Sequence, residues 1–147
     1  IIAHSMGGLV ARRYIQIFGE EDIDKLIMIA TPNKGLAGAI GDYCSFIGEN
    51  RECQDMQENS LFINKLNDPF KKTARVRLYS VIGQGCVMKL GNGDGVVLAE
   101  NAKLENAKLH FVNGTCGGLF GGSLHTEILN IDKYDETYRT VREILEE

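Results

Sequence analysis

The sequence predicts an α/β fold, with a mainly parallel sheet and flanking helices. Two observations support this prediction. Four short apolar runs alternate along the chain with longer stretches of helical periodicity, which is the order of elements in parallel-sheet proteins. One run, residues 24–30, is apolar after its first two residues and lies between charged residues and the segment "TPNKG", which is typical of a strand buried on both faces.

The four strands are predicted at residues 1–4, 24–30, 74–83 and 107–114. Apolar side chains at helical spacing predict a helix over residues 7–18, which ends at Gly19. The C-terminal tail has apolar side chains every three or four positions, so an amphipathic helix closes the chain; these residues are Tyr134, Tyr138, Val141 and Leu145.

The interval between the second and third strands, residues 31–75, is longer than one crossover helix requires. It contains two weakly helical apolar pieces around a polar middle. Residues 36–70 are therefore predicted to form a helical cap or lid within a domain that spans 1–147. An elaboration of the surface explains the extra length equally well.

Composition and charge exclude several classes of function. The net charge of −4 gives no basic surface for nucleic acid or an anionic membrane. No apolar run approaches the ~20 residues of a membrane-spanning helix. The four cysteines lack paired C-x-x-C spacing, so we expect no zinc site.

The cysteines suggest two disulfides. Cys86 and Cys116 each follow a strand end by a few residues, while Cys44 and Cys53 lie close together within 36–70. We expect the pairs Cys44–Cys53 and Cys86–Cys116, with four buried free thiols as the alternative. Paired cysteines would favour an oxidising compartment, as for a secreted or envelope protein, or a thermophilic host.

Three polar side chains follow strand ends, where parallel-sheet enzymes place reactive groups. Ser5 comes after the first strand, at a turn that contains Gly7 and Gly8. Asp94 lies in the glycine-framed loop "GNGDGVV", and His125 lies in "GGSLHTEIL". A serine becomes nucleophilic when a base takes its proton, and the base needs an acid to hold its tautomer. Ser5, His125 and Asp94 are the candidates for these roles.

His125 is the best candidate base among the three histidines. The His4 side chain should point to the opposite face from its neighbour's, and His110 lies within an apolar strand. Asp94 is the favoured acid because its loop is short, with Asp42 as the competitor.

These segments resemble the α/β-hydrolase family, in its lipase and esterase branch. "AHSMGGLVARRY" is similar to the nucleophile elbow, "ATPNKG" to the segment after the next strand, "GDGVV" to the catalytic-acid loop and "LHTEIL" to the catalytic-histidine junction. The order Ser5, Asp94, His125 agrees with that fold. Ala3 departs from the pattern, since the elbow usually has a glycine there.

The resemblance implies acyl transfer on ester or lipid substrates without a metal or organic cofactor. His125 would take the Ser5 proton, Ser5 would attack the carbonyl and Asp94 would stabilise the imidazolium. The backbone N–H of Met6 would donate to the oxyanion. In the family, further strands precede the nucleophile strand and a loop among them supplies a second donor. We therefore expect 1–147 to be the C-terminal portion of a longer hydrolase.

Apolar residues of the predicted cap could line an acyl site, although packing in a core explains them equally well: Leu36, Ile40, Phe46, Ile47, Leu61 and Phe62. Two further functions stay open. An acyltransferase or lipid deacylase of the same fold would use the same serine, and a catalytically incomplete hydrolase-fold module would only bind.

Overall fold

A four-stranded parallel sheet forms the centre of the protein. The computed structural model describes residues 1–38, 50–69, 75–117 and 122–147. Its strands, in chain order, are β1 (Ile2–His4), β2 (Lys25–Ile29), β3 (Arg77–Gln84), β4 (Cys86–Met88), β5 (Gly91–Gly93) and β6 (Lys108–Asn113). The main sheet has the order β1-β2-β3-β6, and all its pairs are parallel. The prediction of an α/β fold with four main strands is confirmed.

Within the described residues, six helices accompany these strands: α1 (Met6–Phe18), α2 (Asn50–Asp55), α3 (Leu61–Leu66), α4 (Ala99–Ala102), α5 (Leu124–Glu127) and α6 (Asp135–Glu146). The predicted N-terminal and C-terminal helices are therefore confirmed as α1 and α6. None of the described helices combines the length and the apolarity needed to cross a bilayer.

Helices cover both faces of the main sheet, which explains why β2 is apolar almost throughout. Leu26 and Met28 pack in one buried cluster with Ile15 of α1. Ile27 and Ile29 point the other way, into a cluster that includes residues of α5 and α6. Since successive side chains of a strand alternate between faces, a strand between two helical layers buries every residue.

A small antiparallel hairpin of β4 and β5 was not predicted. Each strand has three residues, and β5 is "GNG", which carries no apolar alternation to recognise. The hairpin returns the chain to the end of β3, where a Cβ added at Gly83 would lie 2.8 Å from the Asp94 Cβ. This close approach sets the position of the loop that carries Asp94.

The described part of segment 36–70 packs on α1 and β3. Leu36, Met56, Ile63 and Leu66 are buried together with Leu9 of α1 in one apolar cluster that also includes Ile82 of β3. Helix α3 matches the second predicted piece, whereas α2 lies in the polar middle, where no helix was expected. Most of the first predicted piece lies outside the described residues.

One predicted disulfide is confirmed. Cys86 and Cys116 are bonded, with their Cα atoms 5.1 Å apart. This bond joins the first residue of β4 to the loop that follows β6. The other predicted pair includes Cys44, which lies outside the described residues.

Candidate active site

Ser5 occupies the sharp turn between β1 and α1. Its φ of 52° and ψ of −129° lie in a region that non-glycine residues rarely adopt, and such backbone costs of order 1–3 kcal/mol. Two hydrogen bonds hold the turn: the Ser5 N–H donates to the Ile29 carbonyl over 2.9 Å, and Thr31 Oγ1 donates to the Ser5 carbonyl over 2.9 Å. Ile29 is the last residue of β2 and Thr31 lies two residues beyond it, so the neighbouring strand and the segment after it maintain the strained conformation.

His125 lies beside Ser5 although β1 and β6 are at opposite edges of the sheet. The short helix α5 returns across the sheet, because Leu124 and Ile128 are fully buried against the cluster of Ile29 and Val81. This placement brings His125 Nε2 to 2.9 Å from Ser5 Oγ. The His125 side chain is itself buried.

Asp94 completes a chain of hydrogen bonds. Its Oδ2 lies 2.8 Å from His125 Nδ1, and its Oδ1 accepts from the backbone N–H groups of Val96 (2.9 Å) and Val97 (2.7 Å). The residue is 1% exposed. Its own loop thus fixes one carboxylate oxygen and leaves the other for the histidine.

The partners assign the protons in this chain. A carboxylate only accepts, so His125 Nδ1–H donates to Asp94. In the neutral imidazole, Nε2 then carries a lone pair directed at the Ser5 hydroxyl, which donates to it. The arrangement is chemically able to withdraw the hydroxyl proton of Ser5 while the charge that develops on the imidazole faces Asp94.

The Cys86–Cys116 disulfide adjoins the Asp94 loop. Cys116 Sγ lies 3.6 Å from the Asp94 carbonyl oxygen, and Ser123 Oγ donates to the same oxygen over 3.3 Å. The loop is therefore held between β4 on one side and the approach to α5 on the other.

The other predicted site residues occupy different environments. Met6 is the first residue of α1, where backbone N–H groups have no acceptor within the helix, and its side chain packs on the cluster that contains Leu36 and Phe62. Leu61 is 89% exposed. Residues Ile40, Phe46 and Ile47, together with the competing acid Asp42, lie outside the described residues.

His4 contributes a contact that the sequence did not reveal. Its Nε2 lies 2.8 Å from the backbone oxygen of His125, and the two imidazole rings are 5.0 Å apart between centroids. Burial lowers the pKa of His4 below the usual 6.5. His110, in contrast, lies in β6 with its ring 6.2 Å from that of Tyr79.

A cavity of about 260 Å³ lies apart from these residues. Its lining includes Arg12, Ile15, Leu26 and Leu78, but not Ser5, Asp94 or His125.

The Arg12 guanidinium is buried, which lowers its pKa to about 10. Its four hydrogen bonds to described residues go to neutral oxygens, namely both oxygens of Asn33, the Leu66 carbonyl and Asn67 Oδ1. These bonds tie α1 to the segment after β2 and to the end of α3.

In the parts of the chain that the structure describes, no group of three or more His, Cys, Asp or Glu side chains could hold a metal ion. Neither a protein-family model nor a curated protein matches this sequence.

Proposed function

We propose that this protein is a serine hydrolase of carboxylic esters, of the lipase or esterase type, with an α/β-hydrolase fold. The hydrogen-bonded chain from Ser5 Oγ through His125 to Asp94 is the observation that carries the proposal. Its support includes the strained backbone of Ser5 on a strand–turn–helix unit and the chain order Ser, Asp, His, both characteristic of that fold.

The mechanism follows from the proton assignment. His125 Nε2 accepts the hydroxyl proton as Ser5 Oγ bonds to the ester carbonyl carbon, and the imidazolium is stabilised by Asp94. The Met6 N–H donates to the oxyanion. The imidazolium then protonates the leaving alcohol, and an acyl-enzyme remains. A water molecule, deprotonated by His125, releases the carboxylic acid and restores the serine.

The acyl chain has an apolar surface available beside the serine. Met6, which follows Ser5, and Val96, two residues after Asp94, pack on the apolar cluster that contains Leu36, as does Phe62. We propose that residues 36–70 form a cap over this side of the site and that the apolar cluster supports the acyl portion of the substrate. The leaving alcohol would then face solvent.

A fluorophosphonate probe tests the nucleophile, because it phosphonylates a serine that a base activates. We expect the full chain to be labelled at Ser5, as located by peptide mass spectrometry, and Ser5→Ala to resist labelling. Ser60→Ala is the matched control, since Ser60 Oγ caps α3 and accepts from the Ile63 N–H; this variant should be labelled like wild type. A folded wild-type protein that resists the probe, or a label on another serine, would refute the proposal.

Substrate class is tested separately with p-nitrophenyl esters of graded chain length. We expect release of nitrophenol, with a preference for acyl chains that reach the apolar cluster. Labelling at Ser5 without ester turnover in water, but with transfer to an added alcohol or amine, would favour an acyltransferase instead.

A further inference from the structure

The imidazole of His4 forms a hydrogen bond to the main chain of the proposed catalytic base. A backbone carbonyl only accepts, so His4 Nε2 carries a hydrogen and donates it to the His125 oxygen over 2.8 Å. His125 is the second residue of a helix of four, too short for its carbonyl to accept from within α5. The bond from His4 therefore takes the place of a missing helical partner.

The main chain of His125 is also anchored at its N–H group. This group donates to the Asp94 carbonyl over 2.9 Å and lies 3.1 Å from Ser123 Oγ. These contacts tie the backbone of His125 to the acid loop and to its own helix cap. They do not tie it to β1, the strand that leads into the turn of Ser5. Among the described residues, the main-chain link between α5 and β1 is the bond from His4.

We propose that His4 is a positioning residue for the reaction: its Nε2–H holds the His125 main chain so that His125 Nε2 remains within reach of Ser5 Oγ. His4 at the end of β1 then holds the backbone of His125, and the next residue, Ser5, contacts the ring of His125. This inference rests on the proposed hydrolase function, because it assigns a task within that mechanism.

The protonation state of His4 should affect turnover, as should its Nε2–H donor. His125 and Asp94 are the titratable groups that act on its ring, and burial is the main cause of its lowered pKa, so His4 is neutral near pH 7. Protonation at lower pH would put a cation 5.0 Å from the ring that must itself become an imidazolium. Two like charges at that distance oppose each other, so turnover should fall as His4 gains its proton.

Two substitutions separate the donor from the charge. His4→Phe keeps a flat ring without a donor, and we expect kcat to fall about tenfold at pH 8 with little change in KM, the effect of one lost hydrogen bond. His4→Gln keeps an N–H donor that does not titrate, so kcat at pH 8 should stay within about threefold of wild type. In both variants the acidic limb of the plot of kcat against pH should become shallower, because residue 4 no longer gains a proton.

His110→Gln is the matched control, since it removes a histidine that lies in β6, away from Ser5. It should retain the wild-type pH profile and kcat. Equal kcat for His4→Phe and wild type, with unchanged pH profiles, would overturn the proposal. So would equal losses in His4→Phe and His4→Gln, because the donor would then not matter.

Imidazole NMR distinguishes failure of this inference from failure of the proposed function, since it requires no turnover. In the ¹⁵N-labelled wild type we expect a His4 Nε2–H signal that exchanges slowly with water. Rapid exchange of that proton would overturn the inference even if His4→Phe does not fold. Failure of the fluorophosphonate to label Ser5 would instead overturn the hydrolase function.

Discussion

The contact between Gly8 and Thr31 gives a sharp test of how α1 is fixed beside β2. A Cβ added at Gly8 would lie 2.7 Å from Thr31 Cγ2, 2.9 Å from Thr31 Cβ and closer still to Thr31 Oγ1. Thr31 is buried, and the preceding residue, Ala30, is hydrogen-bonded to Val81 of β3. The threonine therefore has little room to retreat.

Gly8→Ala should destabilise the protein although alanine favours helices. The helix gains up to about 1 kcal/mol from the substitution. Overpacking costs about 1–3 kcal/mol. Displacing Thr31 also breaks its hydrogen bond to the Ser5 carbonyl, at about 1 kcal/mol. The sum is a net loss of about 1–3 kcal/mol.

Gly7→Ala is the matched control, because it changes the neighbouring helical residue by the same methyl group. Gly7 is exposed, and its added Cβ would have ordinary contact, 3.8 Å from Ala3 Cβ. This variant should be as stable as wild type or more stable by up to about 1 kcal/mol. Urea unfolding followed by far-UV circular dichroism measures both variants, with the midpoint compared at constant slope.

Thr31→Ala removes two of the three crowded atoms, so it should rescue part of the loss in Gly8→Ala. The double variant should be more stable than the sum of the single effects predicts, by about 1–2 kcal/mol. If Gly8→Ala matches Gly7→Ala in stability, or if the two single effects simply add, the packing explanation is wrong.

Three further predictions concern the site and its supports. On the proposed mechanism, Asp94→Asn should lower kcat by up to ~10⁴ with the fold retained, measured by ester hydrolysis and circular dichroism; near-full activity would move the acid role elsewhere. The double variant Cys86→Ser/Cys116→Ser opens a loop with a sequence separation of 30 residues and should lose about 3–4 kcal/mol of unfolding free energy, whereas wild-type stability would exclude a structural role for the bond. Arg12→Met removes the guanidinium donors to Asn33 Oδ1 and Asn67 Oδ1 and should lose at least about 2 kcal/mol, measured by urea unfolding; an unchanged midpoint would show that water replaces the guanidinium.

The sequence predicted the main sheet and the three polar residues because their signals are local. An apolar run such as 24–30 is recognisable as a buried strand without knowing its neighbours, and the positions after strand ends follow from parallel pairing. Ser5, Asp94 and His125 were all proposed on that basis, and the structure brings them within hydrogen-bonding distance. Their catalytic roles remain predictions.

The features that were missed depend on contacts between distant segments. The β4–β5 hairpin has no apolar pattern of its own, and α2 forms in a polar stretch with Met56, just beyond its end, buried on α1. The task of His4 could not be read from strand alternation either. Alternation only argued against His4 as the base, and the return of α5 across the sheet is what brings the His125 carbonyl to it.

These contacts divide the support of the proposed site between two parts of the structure. Ile29 at the end of β2 and Thr31 just beyond it hold Ser5, while the hairpin and the disulfide hold the loop of Asp94. His125 joins the two parts, since Asp94 binds both its ring and its N–H group, while Ser5 binds its ring and His4 of β1 binds its carbonyl. Loss of the disulfide should therefore displace Asp94 more than it displaces Ser5. Loss of the His4 side chain should instead loosen the position of His125, while Ser5 and Asp94 stay in place.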